Sequence, residues 1–121
     1  MKVICVDDNS IILSCLLSYV KELMPNATTL GFERPEDALC FAEKDGCDIL
    51  FTEIEFSEKP TGIHLARRLQ EKNSRLNIIF ATVCSEREYA EECMEIRPSA
   101  YLKKVVTKKD VKHALRNLLY A

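Results

Sequence analysis

Two periods of hydrophobic and polar positions take turns along this chain. Short apolar runs recur, and each is followed by a longer run with apolar residues at steps of three and four. Lys2–Val6 is the first short run and predicts a buried strand. Ser10 is placed to cap the helix after it, whose stripe is Ile12, Cys15, Leu16, Tyr19, Val20 and Leu23. Pro25-Asn26 ends that helix, and Thr28–Phe32 predicts a second strand. Pro35 suits a first helical position, with Glu36 and Asp37 favourable at the positive end of the helix dipole. Ala38, Leu39, Phe41 and Ala42 form the inner face of this second helix, and Gly46 marks its end.

Asp48–Ile54 predicts a third strand, and a polar stretch over Glu55–Thr61 leads to Gly62 and a helix carrying Ile63, Leu65, Ala66 and Leu69. Asn77–Thr82 is a fourth strand, and Ser85 with Glu88 reads as a capping box that opens the next helix. Tyr101-Leu102 lies in a short fifth strand. Thr107 caps a last helix with Val111, Ala114, Leu115, Leu118 and Leu119 inward. Five strand–helix units joined by short loops imply an α/β fold, a parallel sheet covered by helices on both faces. The flavodoxin-like (βα)5 three-layer sandwich, of strand order 2-1-3-4-5, is the leading topology.

Composition narrows the function classes. The 121 residues suit one domain, here 1–121, and an output domain beyond residue 121 would lie outside this chain. The formal net charge of −2 gives no global basic field, so direct nucleic-acid binding is not expected. No apolar run approaches the roughly 20 residues that span a bilayer, and Met1–Asp8 lacks the apolar stretch of a signal peptide. A cytoplasmic protein without membrane attachment is the expectation. The six cysteines show no metal or thioredoxin spacing; Cys5, Cys15, Cys40 and Cys93 read as small buried residues in a reducing compartment.

In the 2-1-3-4-5 topology, ligands sit at the carboxyl ends of strands 1 and 3. Strand 1 ends in Asp7-Asp8, strand 3 in Glu53 with Glu55 two residues on, strand 4 in Thr82, and Lys103-Lys104 follows strand 5. Carboxylates, a hydroxyl and a lysine would converge on one edge. Clustered carboxylates repel and lose solvation, so the cluster calls for a cation. Mg2+, a hard ion with oxygen ligands, is the natural one, and the lysine supplies a second positive charge.

Ile4-Cys5-Val6-Asp7-Asp8-Asn9, Asp48–Ile54, Ile78–Thr82 and Ala100–Lys104 together resemble the receiver domain of two-component response regulators, from end to end of the chain. Cys93–Leu102 looks most like receivers attached to LytTR-type DNA-binding domains. The resemblance implies a non-enzymatic signalling module, partnered by a sensor kinase or another signalling protein. It implies that Asp8 binds Mg2+ directly, that Asp7 does so through water, and that the backbone carbonyl of Glu55 is a further ligand. Thr82 would bond an attached phosphoryl group, Lys104 would pair with it, and Tyr101 would swing inward or outward with Thr82.

Three positions depart from the family pattern: Glu53 stands at the phosphoacceptor aspartate, Val83 at a very small residue and Val105 at a proline. Glutamate is one methylene longer, and a misplacement of about 1 Å costs about a hundredfold in rate. Weak Mg2+ binding follows. Val83 is expected to narrow the approach to the site. A non-proline cis bond costs about 3 kcal/mol, so the loop after strand 5 is expected to be rearranged.

Four functions stay open at this point. The first is a phosphorylation-independent receiver acting by docking or dimerisation, with Glu53 held by Lys104. The second is a slow or unconventional phosphoacceptor controlling a DNA-binding output domain. The third is a small flavodoxin-like enzyme or nucleotide binder, opposed by the lack of a glycine-rich phosphate loop. The fourth is redox sensing through Cys84. Tyr101 separates two states. A ring buried beside an inward Thr82 means that Glu53 mimics activation; an exposed ring with Thr82 far from Glu53 means a resting domain. Finally, the acidic Glu86, Glu88, Glu91, Glu92 and Glu95 and the basic Lys103, Lys104, Lys108, Lys109 and Lys112 suit a two-fold contact across helix 4, strand 5 and helix 5. Lys108 and Lys109, at the disfavoured end of a helix dipole, point to a use outside the helix.

Overall fold

The computed structural model describes residues 1–120, with side chains as far as Leu118. Strands β1 (Lys2–Val6), β2 (Thr28–Phe32), β3 (Ile49–Thr52), β4 (Asn77–Thr82) and β5 (Ala100–Lys103) form one parallel sheet of order β2-β1-β3-β4-β5. Helices α1 (Ser10–Leu23), α2 (Pro35–Asp45), α3 (Thr61–Lys72), α4 (Ala90–Ile96) and α5 (Lys108–Tyr120) connect and cover it. This is the flavodoxin-like arrangement that the alternating pattern predicts.

Alternation along the strands divides the core. Val3, Cys5, Ile49, Phe51 and Ile79 face α1 and α5, where Leu13, Leu16, Val20, Val111, Ala114 and Leu115 meet them. Ile4, Val6, Leu50, Ile78 and Phe80 face the other way, onto Ala38, Ile63, Ala66, Leu69 and Ile96. Both faces are buried, which is why the strands read as continuous apolar runs.

Several local expectations are corrected. The α1 cap is Asn9, not Ser10: its side chain accepts from the N–H groups of Ile11 and Ile12 at 3.0 and 3.1 Å. The buried stripe of α1 runs through Leu13, Leu16 and Val20, which leaves Ile12 and Cys15 exposed. A helix whose middle is packed tightly under β1 buries a narrow face, so apolar residues one position off that face stay outside. Cys40 is also exposed, whereas Cys5, Cys47 and Cys84 are buried; all six thiols are free. The capping box holds, since the Ser85 N–H donates to the Glu88 carboxylate at 2.7 Å, but it opens a 3-10 turn over Glu86–Tyr89 before α4 begins. Thr107 and Asp110 cap α5 reciprocally, at 2.9 and 3.2 Å. The inward placement of Leu119 lies outside the described side chains. The polar stretch after β3 is pinned by Phe56, whose ring is buried in the core.

Candidate functional site

Asp7, Glu53 and Lys104 each stand one residue past the end of a strand, and one rule positions all three. The Asp7 N–H donates to the Phe32 carbonyl of β2 at 3.1 Å, the Glu53 N–H to the Val6 carbonyl of β1 at 3.1 Å, and the Lys104 N–H to the Thr82 carbonyl of β4 at 2.9 Å. The sheet ladder thus continues one step beyond the strands and fixes each backbone. The side chains converge on the central edge of the sheet.

There the Lys104 ammonium lies 2.7 Å from Asp7 Oδ2 and 3.3 Å from Glu53 Oε1. The group is enclosed: the side chains of Lys104, Asp7 and Glu53 are 11%, 3% and 7% exposed. Burial disfavours the ammonium. The hydrogen bond to Asp7 and the charges of Glu53 and Asp7 outweigh that, so the Lys104 pKa is held above its ordinary 10.5. The other Asp7 oxygen accepts from the Asn9 N–H at 2.9 Å. The Glu53 arm folds back, and its Oε2 accepts from the Ile54 N–H at 2.8 Å.

Gly62 is what lets α3 reach this corner. Its N–H donates to the Ile54 carbonyl at 2.9 Å, and a Cβ on Gly62 would fall 1.8 Å from the Glu53 carbonyl oxygen. The sequence signals a helix start at Gly62 but not this backbone contact, which only the fold reveals.

Other predicted residues turn elsewhere. Asp8 is exposed. Glu55 accepts a hydrogen bond from the Tyr89 hydroxyl, whose pKa that bond raises. Thr82 is fully buried, and its hydroxyl accepts from the Cys84 N–H at 3.1 Å rather than bonding Glu53. Tyr101 is half-buried and donates to the Cys84 carbonyl at 2.7 Å, with its ring edge against Phe80 at 6.2 Å. Of the four carboxylates at this edge, only Asp7 and Glu53 therefore meet the lysine.

The cation requirement is met from within. Mg2+ wants near-octahedral oxygen ligands, yet Asp7 and Glu53 are engaged by an ammonium and by backbone N–H groups. Among the described residues, no three His, Cys, Asp or Glu side chains are grouped to hold a metal ion. In this arrangement the donor set does not fit a strong Mg2+ site.

Three more expectations are corrected. Val83 is 64% exposed, because strand alternation puts Thr82 and Cys84 inside and Val83 outside; it stands at the rim and does not crowd the carboxylates. The Lys104–Val105 peptide is cis although no proline stands there, and Lys104 keeps its place at the end of the β4 ladder. Lys108 pairs with Glu22 of α1 at 2.5 Å, a use outside its own helix, as its placement suggests, but within the chain. The Cys84 thiol is pushed up by burial and by the neighbouring Glu55 and Glu53, the opposite of what a reactive thiolate needs.

A parallel five-stranded sheet with two acidic groups and a lysine at its central carboxyl edge defines a signalling receiver rather than a glycine-loop nucleotide binder. The model of the response regulator receiver domain family matches residues 3–116, and the chain belongs to that family. No curated protein matches it in sequence. Among solved structures, a response regulator receiver domain protein from Clostridium thermocellum is 20% identical, with a TM-score of 0.81 over 96% of this chain and 91% of that one. The Vibrio cholerae chemotaxis protein CheY4 is 16% identical, with a TM-score of 0.83 over 98% of each chain. A LuxR-family DNA-binding response regulator from Staphylococcus aureus is 14% identical, with a TM-score of 0.82 over 97% of each. Domains of this family are signalling modules that interact with kinases and other signalling proteins. Among the described residues, no helix is long and apolar enough to cross a membrane.

Proposed function

We propose that this domain is a receiver whose state is set without phosphorylation, working in the cytoplasm through contacts with signalling proteins or with a second copy. The observation that carries this reading is the closed triad at the sheet edge. Glu53, in the position of the family's phosphoacceptor, is buried, folded back onto the Ile54 N–H and paired with Lys104, which also binds Asp7. A nucleophile so engaged lacks the in-line freedom that phosphoryl transfer needs. Mg2+ binding through Asp7, Asp8 and the Glu55 carbonyl is weak for the same reason.

Tyr101 stands between the two states: its ring is half-buried, and Thr82 is buried without bonding Glu53. Tyr101 is tied to the Cys84 carbonyl, and Thr82 is drawn to the Cys84 N–H. Cys84, rather than Glu53, is then the residue that joins the two switch side chains. The test is incubation with acetyl phosphate and Mg2+ followed by intact mass. The expected result is no stable adduct. A stoichiometric gain of one phosphoryl group, lost in Glu53→Gln, would sink the reading.

Self-association across α4, β5 and α5 belongs to the same proposal. Glu95 is paired with Arg67 and Lys108 with Glu22 inside the chain. That leaves Glu86, Glu91 and Glu92 on one side and Lys103, Lys109 and Lys112 on the other, all charged and not engaged in an ion pair among the described residues. Exposed pairs give under about 1 kcal/mol each and are screened by salt. A weak dimer at low ionic strength that dissociates in high salt is expected in sedimentation. A dimer untouched by Lys109→Glu with Lys112→Glu, or a monomer at high concentration and low salt, would rule the contact out.

A further inference from the structure

We infer that the hollow between α1 and the segment after β5 is a binding site for a small, uncharged, mostly apolar molecule with one hydrogen-bond acceptor. The hollow has a volume of about 260 Å³ and is lined by Ile11, Ile12, Cys15 and Tyr19 of α1 and by Val105 and Val106, with Asp7 and Lys104 the charged residues of its lining. Its rim is apolar and open to water: Ile11 is 74% exposed and Val105 is 90% exposed. Both are large aliphatic side chains left outside the core on adjoining elements, and together they wall a concave space rather than a flat face.

Size, wall chemistry and charge select the ligand class. A space of this size suits a molecule of about ten non-hydrogen atoms. The walls favour an aromatic or branched hydrocarbon body. The charged lining residues fix the polar group. An ammonium carries three donors, and Asp7 and Glu53 take two of those of Lys104. A third donor suits an acceptor oxygen. That oxygen must be neutral: the triad already has two carboxylates to one ammonium, so an anion meets repulsion and a cation competes with Lys104. A ketone, ester or amide fits. Because the acceptor meets the ammonium that holds Glu53, occupancy bears on the triad. The inference does not depend on whether Glu53 accepts phosphate.

The test uses 4-phenyl-2-butanone as probe on the whole chain, followed by methyl NMR. Saturable shifts are expected at Ile11, Ile12, Val105 and Val106, with a Kd on the order of a millimolar, the range of a fragment this size. Butylbenzene, which lacks the oxygen, is expected to bind at least threefold more weakly, and 4-phenylbutyrate, which is anionic, to produce no saturable shift. The probe is also expected to slow alkylation of the exposed Cys15. Cys15→Phe, which fills the hollow from a solvent-facing position, is expected to abolish the shifts while circular dichroism stays unchanged. Absence of saturation up to the solubility limit, equal binding of the anion, or shifts that survive in a folded Cys15→Phe variant would each overturn the inference. Should Cys15→Phe fail to fold, probe protection of Cys15 in the unmodified chain decides the matter: no protection at saturating probe counts against the site.

Discussion

Replacing Lys104 with methionine is expected to destabilise the domain by about 3–5 kcal/mol, the range for breaking a buried ion pair from one side. Methionine keeps an unbranched apolar stem of four heavy atoms and lacks the ammonium. Two carboxylates, at 3% and 7% exposure, then face each other without a countercharge. Domains of this size have only about 5–15 kcal/mol of stability, so the thermal midpoint should fall by roughly 10–20 °C. Adding Glu53→Gln to Lys104→Met should recover part of the loss, because one of the stranded charges is gone. The dependence on pH has a definite sign. The Lys104 pKa is raised in the fold, so its contribution is fully present below the ordinary 10.5 and is lost as pH rises through the folded value. The gap between wild type and variant should hold through neutral pH and narrow above pH 10.5. Chemical denaturation at pH 7 and pH 11 measures both effects. A variant within 1 kcal/mol of wild type at pH 7 would show that water, not Lys104, balances the carboxylates.

The strands and their order were legible because burial on both sheet faces leaves unbroken apolar runs, as in Val3–Val6 and Ile78–Ala81. The edge that carries the site was legible because the topology rule depends on strand order alone. The direction in which each side chain turns was not. Asp8 and Asp7 are neighbours in sequence with the same chemistry, yet one is exposed and the other buried on Lys104. What separates them is the Asn9 turn, whose N–H takes an Asp7 oxygen, and a local turn of that kind leaves no periodic signal. The α1 stripe failed for a related reason. Ile11, Ile12 and Leu13 are consecutive aliphatic residues, so periodicity fits more than one register, and the tertiary contact with β1 and α5 selects Leu13. In the sequence Cys84 reads as a thiol, but the contacts that matter here come from its backbone N–H and carbonyl, which bind Thr82 and Tyr101. Residue type carries no information about such a role.

Shortening Glu53 to aspartate is expected to raise phosphoryl labelling by acetyl phosphate at least a hundredfold, the size of effect attached to a displacement of about 1 Å at a reacting centre. In the wild type the extra methylene lets the carboxylate curl back to the Ile54 N–H at 2.8 Å while its other oxygen meets Lys104 at 3.3 Å. Aspartate on the same backbone, which is fixed by the Val6 carbonyl and by the close approach of Gly62, cannot reach both partners in that way. Its carboxylate is left at the strand end, beside Asp7, where two oxygens of adjacent strands can share a hard divalent ion. Calorimetry should therefore find tighter Mg2+ binding in Glu53→Asp than in the wild type, and labelling should follow Mg2+ concentration. Thr82 adds a second readout. The Thr82 hydroxyl accepts from the Cys84 N–H and keeps its own hydrogen to donate to an attached phosphoryl oxygen; turning to make that bond draws its oxygen from Cys84, so the Cys84 N–H resonance should shift on labelling of the variant and stay fixed in wild type under the same conditions. If Glu53→Asp binds Mg2+ more tightly and still takes no phosphoryl group, the added methylene is not what silences this domain, and the Lys104–Asp7 pair becomes the element to release next.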